Sequence, residues 1–486
     1  MKINFQKIPR WLQIVIVAVV IIAAVILVLK FGGWFDKVAA IYVAQGDAAL
    51  SERDYSQAME RYAYALSLQH LDGNVAYEAY LKRGQILLAK RNYEQALEEL
   101  DKATHLRKRR PEAYFLLGQA EQAVFDYDNA VLTLEKAVKY DSDKPEYLVE
   151  LAKAIFRQGQ EVSRADDLLQ QAINLDSELQ AAYFYRALVV MEDNPEEARQ
   201  LIAQALDLSG NLTYQVQSAH ERILDYQQRI AERSDEEESQ SYRKVLTGWT
   251  YANVNEAAAA ERMADEALEI TPDYRDAWQL KGWAQIERGD YTGAITSLTE
   301  AYNIDSTSGQ TQYLFALAES GLGKTDAALE SFAKALTLGY DQRRLRLDYA
   351  DLLLTSGDKS GAEKQIRAAY KQNRQDTEVV RDLIWFLGAE QVGNDEEIVA
   401  IAVRLNKELD NAESESLLAL AYLLSGDDEK AADLSDSIIA REPSQALAYY
   451  VRGRARGDGA DLVKAVDVDF EGTIGAWASA ELTQTD

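Results

Sequence analysis

Between Arg275 and Ser308 the chain sets Trp278 and Gly282 four apart, then Ala294, Leu298 and Ala301 at i, i+4 and i+7. Each set falls on one face of an α-helix, so the stretch predicts a helix, a turn and a second helix. Gly289 supplies the left-handed residue that commonly ends a helix. Two such helices expose more apolar surface than they can cover alone, and neighbours follow at a fixed distance. Gly248 lies 34 residues before Gly282, and Ala328 and Ala362 follow Ala294 in steps of 34. Phe332 and Ile366 echo Leu298, and Ala335 and Ala369 echo Ala301. The same interval separates Gly84 from Gly118, Ala96 from Ala130, Leu100 from Leu134 and Ala103 from Ala137. A helix-turn-helix period of this length predicts a stack in which each unit covers its neighbour.

These residues resemble the tetratricopeptide repeat family, whose motif runs W-x2-L-G-x2-Y, then A-x3-F-x2-A, then P. The match is clearest at Tyr42, Gly46, Ala58, Tyr62 and Ala65, and at Tyr80, Gly84, Ala96 and Ala103. It recurs at Gly248, Tyr251, Ala260, Ala267 and Pro272, and at Trp278, Gly282, Ala294 and Ala301. Lys281 and Gln285 depart from the family's Leu and Tyr. The resemblance covers nearly everything after residue 38 and implies an all-α, right-handed solenoid of about eleven to twelve helix-turn-helix units.

The first thirty residues differ. Leu12 to Leu29 holds one polar residue, Gln13, and is long enough as a helix to span about 27 Å of a hydrocarbon layer about 30 Å thick. Trp11 and Trp34 flank it. The run exceeds the apolar core of about 7–15 residues usual in a cleaved signal peptide, so an N-terminal transmembrane helix over 11–30 is the expectation. Lys2, Lys7 and Arg10 before the span, against Lys30 and Lys37 after it, place residues 1–10 in the cytoplasm. A single-pass protein of a bacterial cytoplasmic membrane is therefore expected, with its repeats extracytoplasmic.

After a joint over 31–38, a first block of units is expected over 39–209 and a second over 241–486, with degenerate capping units at its end. Residues 210–240 break the period with a polar helix and an acidic run, and read as a seam. Cysteine is absent, which removes disulfides, thiolate metal sites and thiol catalysis. With 52 basic residues against 80 acidic ones the net charge is −28, which argues against nucleic acid as a partner. The bland reading of that charge is a solvated, self-repelling surface.

Candidate chemistry is sparse. A-E-S-G-L-G-K-T, Ala318 to Thr325, matches a relaxed phosphate loop ending in Lys324, but such a loop needs a preceding strand and a helix is expected there. D-V-D-F-E-G, Asp467 to Gly472, opens like a calcium loop, yet Ala478 stands where a Glu is required. His70, His105 and His220 lack ligand spacing, so no metal is expected, and no cofactor or small-molecule substrate either. Arg107 to Arg110 is a basic cluster read as a helix-end cap, and Asn211 sits in a glycosylation sequon. The stronger constellation is aromatic. The resemblance implies that each unit's first helix lines a concave groove through its fifth and ninth positions. The ninth holds Trp249, Trp283 and Trp385, and the fifth holds Phe115, Tyr313 and Tyr450. Two readings stay open, anchors for a bound protein segment or packing between adjacent first helices. The Lys/Asn clamp of chaperone-tail receptors is missing, since Val43, Asp47, Leu81, Gln85, Phe115 and Gln119 fill its positions. The expected function is a protein-binding scaffold or assembly factor at the cell envelope. A chaperone or adaptor for secretion, pilus or envelope biogenesis machinery is the alternative, and a nucleotide-binding enzyme using Lys324 a third.

Overall fold

In a computed structural model, residues 35–51, 54–68, 73–208, 212–231, 237–389, 394–469 and 473–484 are described. Every regular element among them is a helix. The chain divides into two compact units, Met1–His220 and Glu221–Asp486. In the first, the helix over 35–51 pairs with Tyr55–Ser67, Gly73–Ala89 with Tyr93–Leu106, and Pro111–Ala123 with Tyr127–Tyr140. Pro145–Gln158 then pairs with Val162–Leu175, and Gln180–Val190 with Pro195–Asp207. In the second, the pairs run from Glu237–Asn253 with Ala257–Ile270 to Ala446–Arg456 with Gly459–Val468, and the helix Thr473–Gln484 follows them.

Three sequence features repeat with the pairs and explain them. First, the turn between the two helices of a pair carries one residue in the left-handed region. It is Arg91 (φ 52°), Phe125 (φ 63°), Asn255 (φ 64°), Gly289 (φ 76°), Gly323 (φ 70°) or Gly357 (φ 92°), each 34 residues from its neighbour within a unit. Second, an Asp often follows that residue and caps the second helix. Asp290 accepts the Gly293 N–H at 2.9 Å and Asp358 the Gly361 N–H at 2.9 Å, satisfying a donor the helix start leaves open. Third, the first helix carries a glycine under a large side chain of the second. A Cβ on Gly282 would lie 2.7 Å from Leu298 Cδ2, and Gly84 and Gly118 face Leu100 and Leu134 in the same way. The glycine lets the helices approach, and the Leu fills the hole.

Ala294, Leu298 and Ala301 are fully buried, as are Ala328, Ala335, Ala96, Leu100, Ala103, Ala130, Leu134 and Ala137. Full burial of each such Leu contributes about 2 kcal/mol. Polar links bind the pairs as well. Thr133 donates to Glu121 (3.2 Å), Ser297 to Gln285 (2.8 Å) and Ser331 to Glu319 (2.7 Å), always twelve residues apart across the turn. Arg275 reaches Asp305 of the next connection at 2.6 Å.

The expected fold class needs one correction. Among the described residues no helix is long and apolar enough to cross a membrane. The longest, Thr213–Ala231 with 19 residues, carries Glu221, Arg222 and Asp225. Among the described residues the fold is thus an all-α stack of helix pairs without a transmembrane helix. Residues 11–30, which carried the expected span, lie outside the described residues. The expected single-pass membrane localisation, with extracytoplasmic repeats, therefore has no membrane-crossing helix behind it among the described residues.

Candidate functional site

A concentration of polar and aromatic side chains lies on the first-helix face of the second unit. A cleft of about 350 Å³ opens there, lined among others by Arg344, Asp348, Asp351, Arg381, Trp385 and Trp477. Its walls come from Arg343–Thr355 and Thr377–Ala389, two first helices 34 residues apart, with Thr473–Gln484 closing one end. The shared register sets the contents. Arg344 and Glu378 occupy one position, Asp348 and Asp382 another, and Asp351 and Trp385 the ninth.

Charges of both signs meet along these two helices. Arg344 pairs with Asp348 at 3.0 Å and approaches Glu378 at 3.8 Å, while Arg381 pairs with Asp382 at 2.8 Å. The Tyr313 hydroxyl donates to Asp348 at 2.7 Å from the first helix of the preceding pair. Burial pushes the Asp348 carboxyl above the usual carboxylate range, against the pull of Arg344 and the Tyr313 hydroxyl. Burial likewise raises Asp382, with Arg381 opposing. The cleft walls desolvate the inner side of Asp351 and, with the nearby charges of Asp382 and Asp348, raise its carboxyl, although the side chain still reaches solvent at the mouth. Four carboxylates against two guanidiniums leave the cleft short of positive charge.

The six aromatic candidates are distributed as follows. Trp249 and Trp283 are half-buried, with ring centroids 6.1 Å apart, each on the core between consecutive first helices. Tyr313 stacks on Tyr340 at 5.6 Å. Its hydroxyl is held far above its ordinary pKa by burial and by Asp348. Phe115, in the first unit, contacts Tyr147 at 4.7 Å. Trp385 and Tyr450 come together at 6.2 Å, and Trp385 stacks on Trp477 at 3.9 Å with the planes 14° apart. Tyr450 is fully buried, so it offers no free surface in this arrangement. The structure thus gathers Trp385 and Tyr450 at one place, leaves Trp249, Trp283 and Tyr313 along the same unit, and sets Phe115 in the other.

Sequence reasoning missed Trp477 and the charged members of the cleft. Asp351 and Arg381 hold the ninth and fifth positions of the chosen aromatics, the signal that could have found them, while Arg344, Asp348 and Asp382 stand at other positions of the same helices. Trp477 lies beyond the last clear 34-residue match and had no such signal.

The other motifs resolve simply. Ala318 to Thr325 runs from the helix Gly309–Gly321 through a turn into Thr325–Thr337, with Gly323 as the left-handed turn residue and no strand before it. Residues 470–472 of the calcium-like segment lie outside the described residues. Asp469 instead accepts the N–H groups of Ile474 (2.9 Å) and Gly475 (3.1 Å), capping the helix Thr473–Gln484.

Comparison with known families agrees with the register. One family model, tetratricopeptide repeat, matches residues 43–113, 81–123, 245–309 and 313–377, and a second tetratricopeptide repeat model matches 111–144. These segments match the tetratricopeptide repeat pattern that the 34-residue period carries. No curated protein sequence matches the chain. Among solved structures, one titled as the Cut9–Hcn1 hetero-tetramer of APC/C is similar at 13% identity and a TM-score of 0.38, covering 88% of this chain and 99% of that one. Yeast Tom70 is similar at 15% identity and 0.36, covering 93% and 96%. MamA is similar at 22% and 0.31, covering 33% and 92%. Of the two first helices that wall the cleft, Arg343–Thr355 lies inside a matched segment and Thr377–Ala389 lies at and beyond its end.

Proposed function

We propose that the chain is a protein-interaction scaffold that binds partner segments on the first-helix face of its second unit. The carrying observation is the cleft itself, with aromatic and charged side chains from successive repeats converging on an opening of about 350 Å³. Half-buried tryptophans beside partly desolvated charges are the composition of an interface hot spot. A solvated outer face would hold its charges apart in water.

Asp351 tests this without disturbing the core, because it is exposed at the cleft mouth. The full chain is used as bait in an extract of its source cells, and partners are quantified by mass spectrometry. Asp351→Lys should weaken a specific partner by about 2 kcal/mol, roughly 30-fold in affinity. Glu429→Lys, exposed on a second helix, should leave the same partner bound. Equal retention by both variants would remove the cleft from the binding surface.

A further inference from the structure

The helix Thr473–Gln484 stands apart from the pair plan. It follows the pair Ala446–Arg456 and Gly459–Val468, and its side chains engage first-helix positions of two different helix pairs of the second unit. Trp477 stacks on Trp385 and lies 5.7 Å from Tyr450. Glu481, four residues later on the same helix face, forms an ion pair with Arg454. Arg454 also donates to the Tyr450 hydroxyl at 3.1 Å. Trp385 and Arg454 are ninth-position residues and Tyr450 a fifth-position residue, the register assigned to partner binding. Ile474 and Ala478 are buried in the same cluster. The chain thus lays one of its own helices on the positions through which a partner segment would be held.

The contact is also incomplete. Beyond Trp477 the face continues into the cleft of Arg344, Asp348 and Asp351, which the helix leaves open. A longer segment on the same track would keep the aromatic and carboxylate contacts and add those of the cleft. We propose that Thr473–Gln484 is a displaceable occupant of this face. The partner it stands in for is a helical segment with an aromatic side chain and a carboxylate four residues after it. This rests on the reading of the first-helix face as protein-binding. A tethered occupant competes at an effective concentration on the order of mM, so it sets a threshold that only a better-fitting segment passes.

A labelled peptide of residues 469–486 provides the probe. It is titrated by fluorescence anisotropy into the full chain and into the full-length Trp477→Ala/Glu481→Ala variant. The variant, with its own helix weakened, should bind the peptide about tenfold or more tighter than the unaltered chain. A peptide lacking the Trp477 ring should not bind. Equal binding by both chains, or no binding by a variant that melts like the unaltered chain, would overturn the displaceable occupant. The partner-binding reading would then stand or fall on Asp351→Lys alone. Should the variant lose its fold, hydrogen exchange on the unaltered chain decides. Amides of Thr473–Gln484 should exchange about 100-fold or more faster than those of Ala446–Arg456, whereas equal protection makes the helix an integral part of the unit and overturns the proposal.

Discussion

Glu121 shows how much a single position can depart from a repeated plan. Its equivalents Gln285 and Glu319 accept a hydroxyl from the second helix, and Glu121 does the same from Thr133 at 3.2 Å. Its other oxygen, Oε2, is buried without a hydrogen bond, and burial raises the carboxyl from about 4.5 to about 7. The folded state therefore holds the proton more tightly than the unfolded chain between those values. Stability falls as pH rises through that window and is level above it. Glu121→Gln keeps an acceptor for Thr133 and removes the buried charge. It should raise stability by about 1–3 kcal/mol at pH 8 and change it little at pH 4, as read from thermal melts across pH. A variant equally stabilised at both pH values would contradict the assigned cause. Residues of this kind are not legible in sequence, because Glu121 reads there as one more solvated acid. The buried alanines and leucines are legible, since a period of 34 repeats them in identical surroundings.

At the scale of the helix pair, two glycines seven apart do different work. Gly289 has φ 76° and nothing within 4 Å of an added Cβ, so its requirement is purely conformational. Gly282 is helical, and its added Cβ would strike Leu298. Gly289→Ala should cost about 1–2 kcal/mol whatever stands at 298. Gly282→Ala should cost about 1–3 kcal/mol, and much of that should vanish once Leu298 is already Ala. A double-mutant cycle by denaturant unfolding separates the two; coupling at 289 or its absence at 282 would reverse the assignment. Caps give a second check. Lys324 caps Thr325–Thr337 without a side-chain bond, where Asp290 and Asp358 supply one. Lys324→Asp should therefore stabilise by about 0.5–1 kcal/mol in the same measurement, and a loss would show that the lysine has a role beyond the turn. Pairs and turns were readable because glycine and aspartate sit where the backbone demands them. What lies across the face of several pairs was not. Trp477 meets Trp385 across 92 residues of chain, a distance no local pattern encodes.

For the whole molecule, sequence and structure agree on stacked helix pairs and differ on the membrane span, which has no counterpart among the described residues. The aromatic candidates divide by position, with Tyr450 sealed in the core and Trp385 partly exposed beneath Trp477. The central claim is that partners are held on the first-helix face of the second unit. Hydrogen exchange on the full chain, with and without the partner recovered by the unaltered bait, tests it most directly. Protection should rise along Arg343–Thr355, Thr377–Ala389 and Ala446–Arg456, and stay unchanged along the second helices Lys359–Gln372 and Asp428–Arg441. Protection confined to those second helices, or to the first unit, would contradict the account.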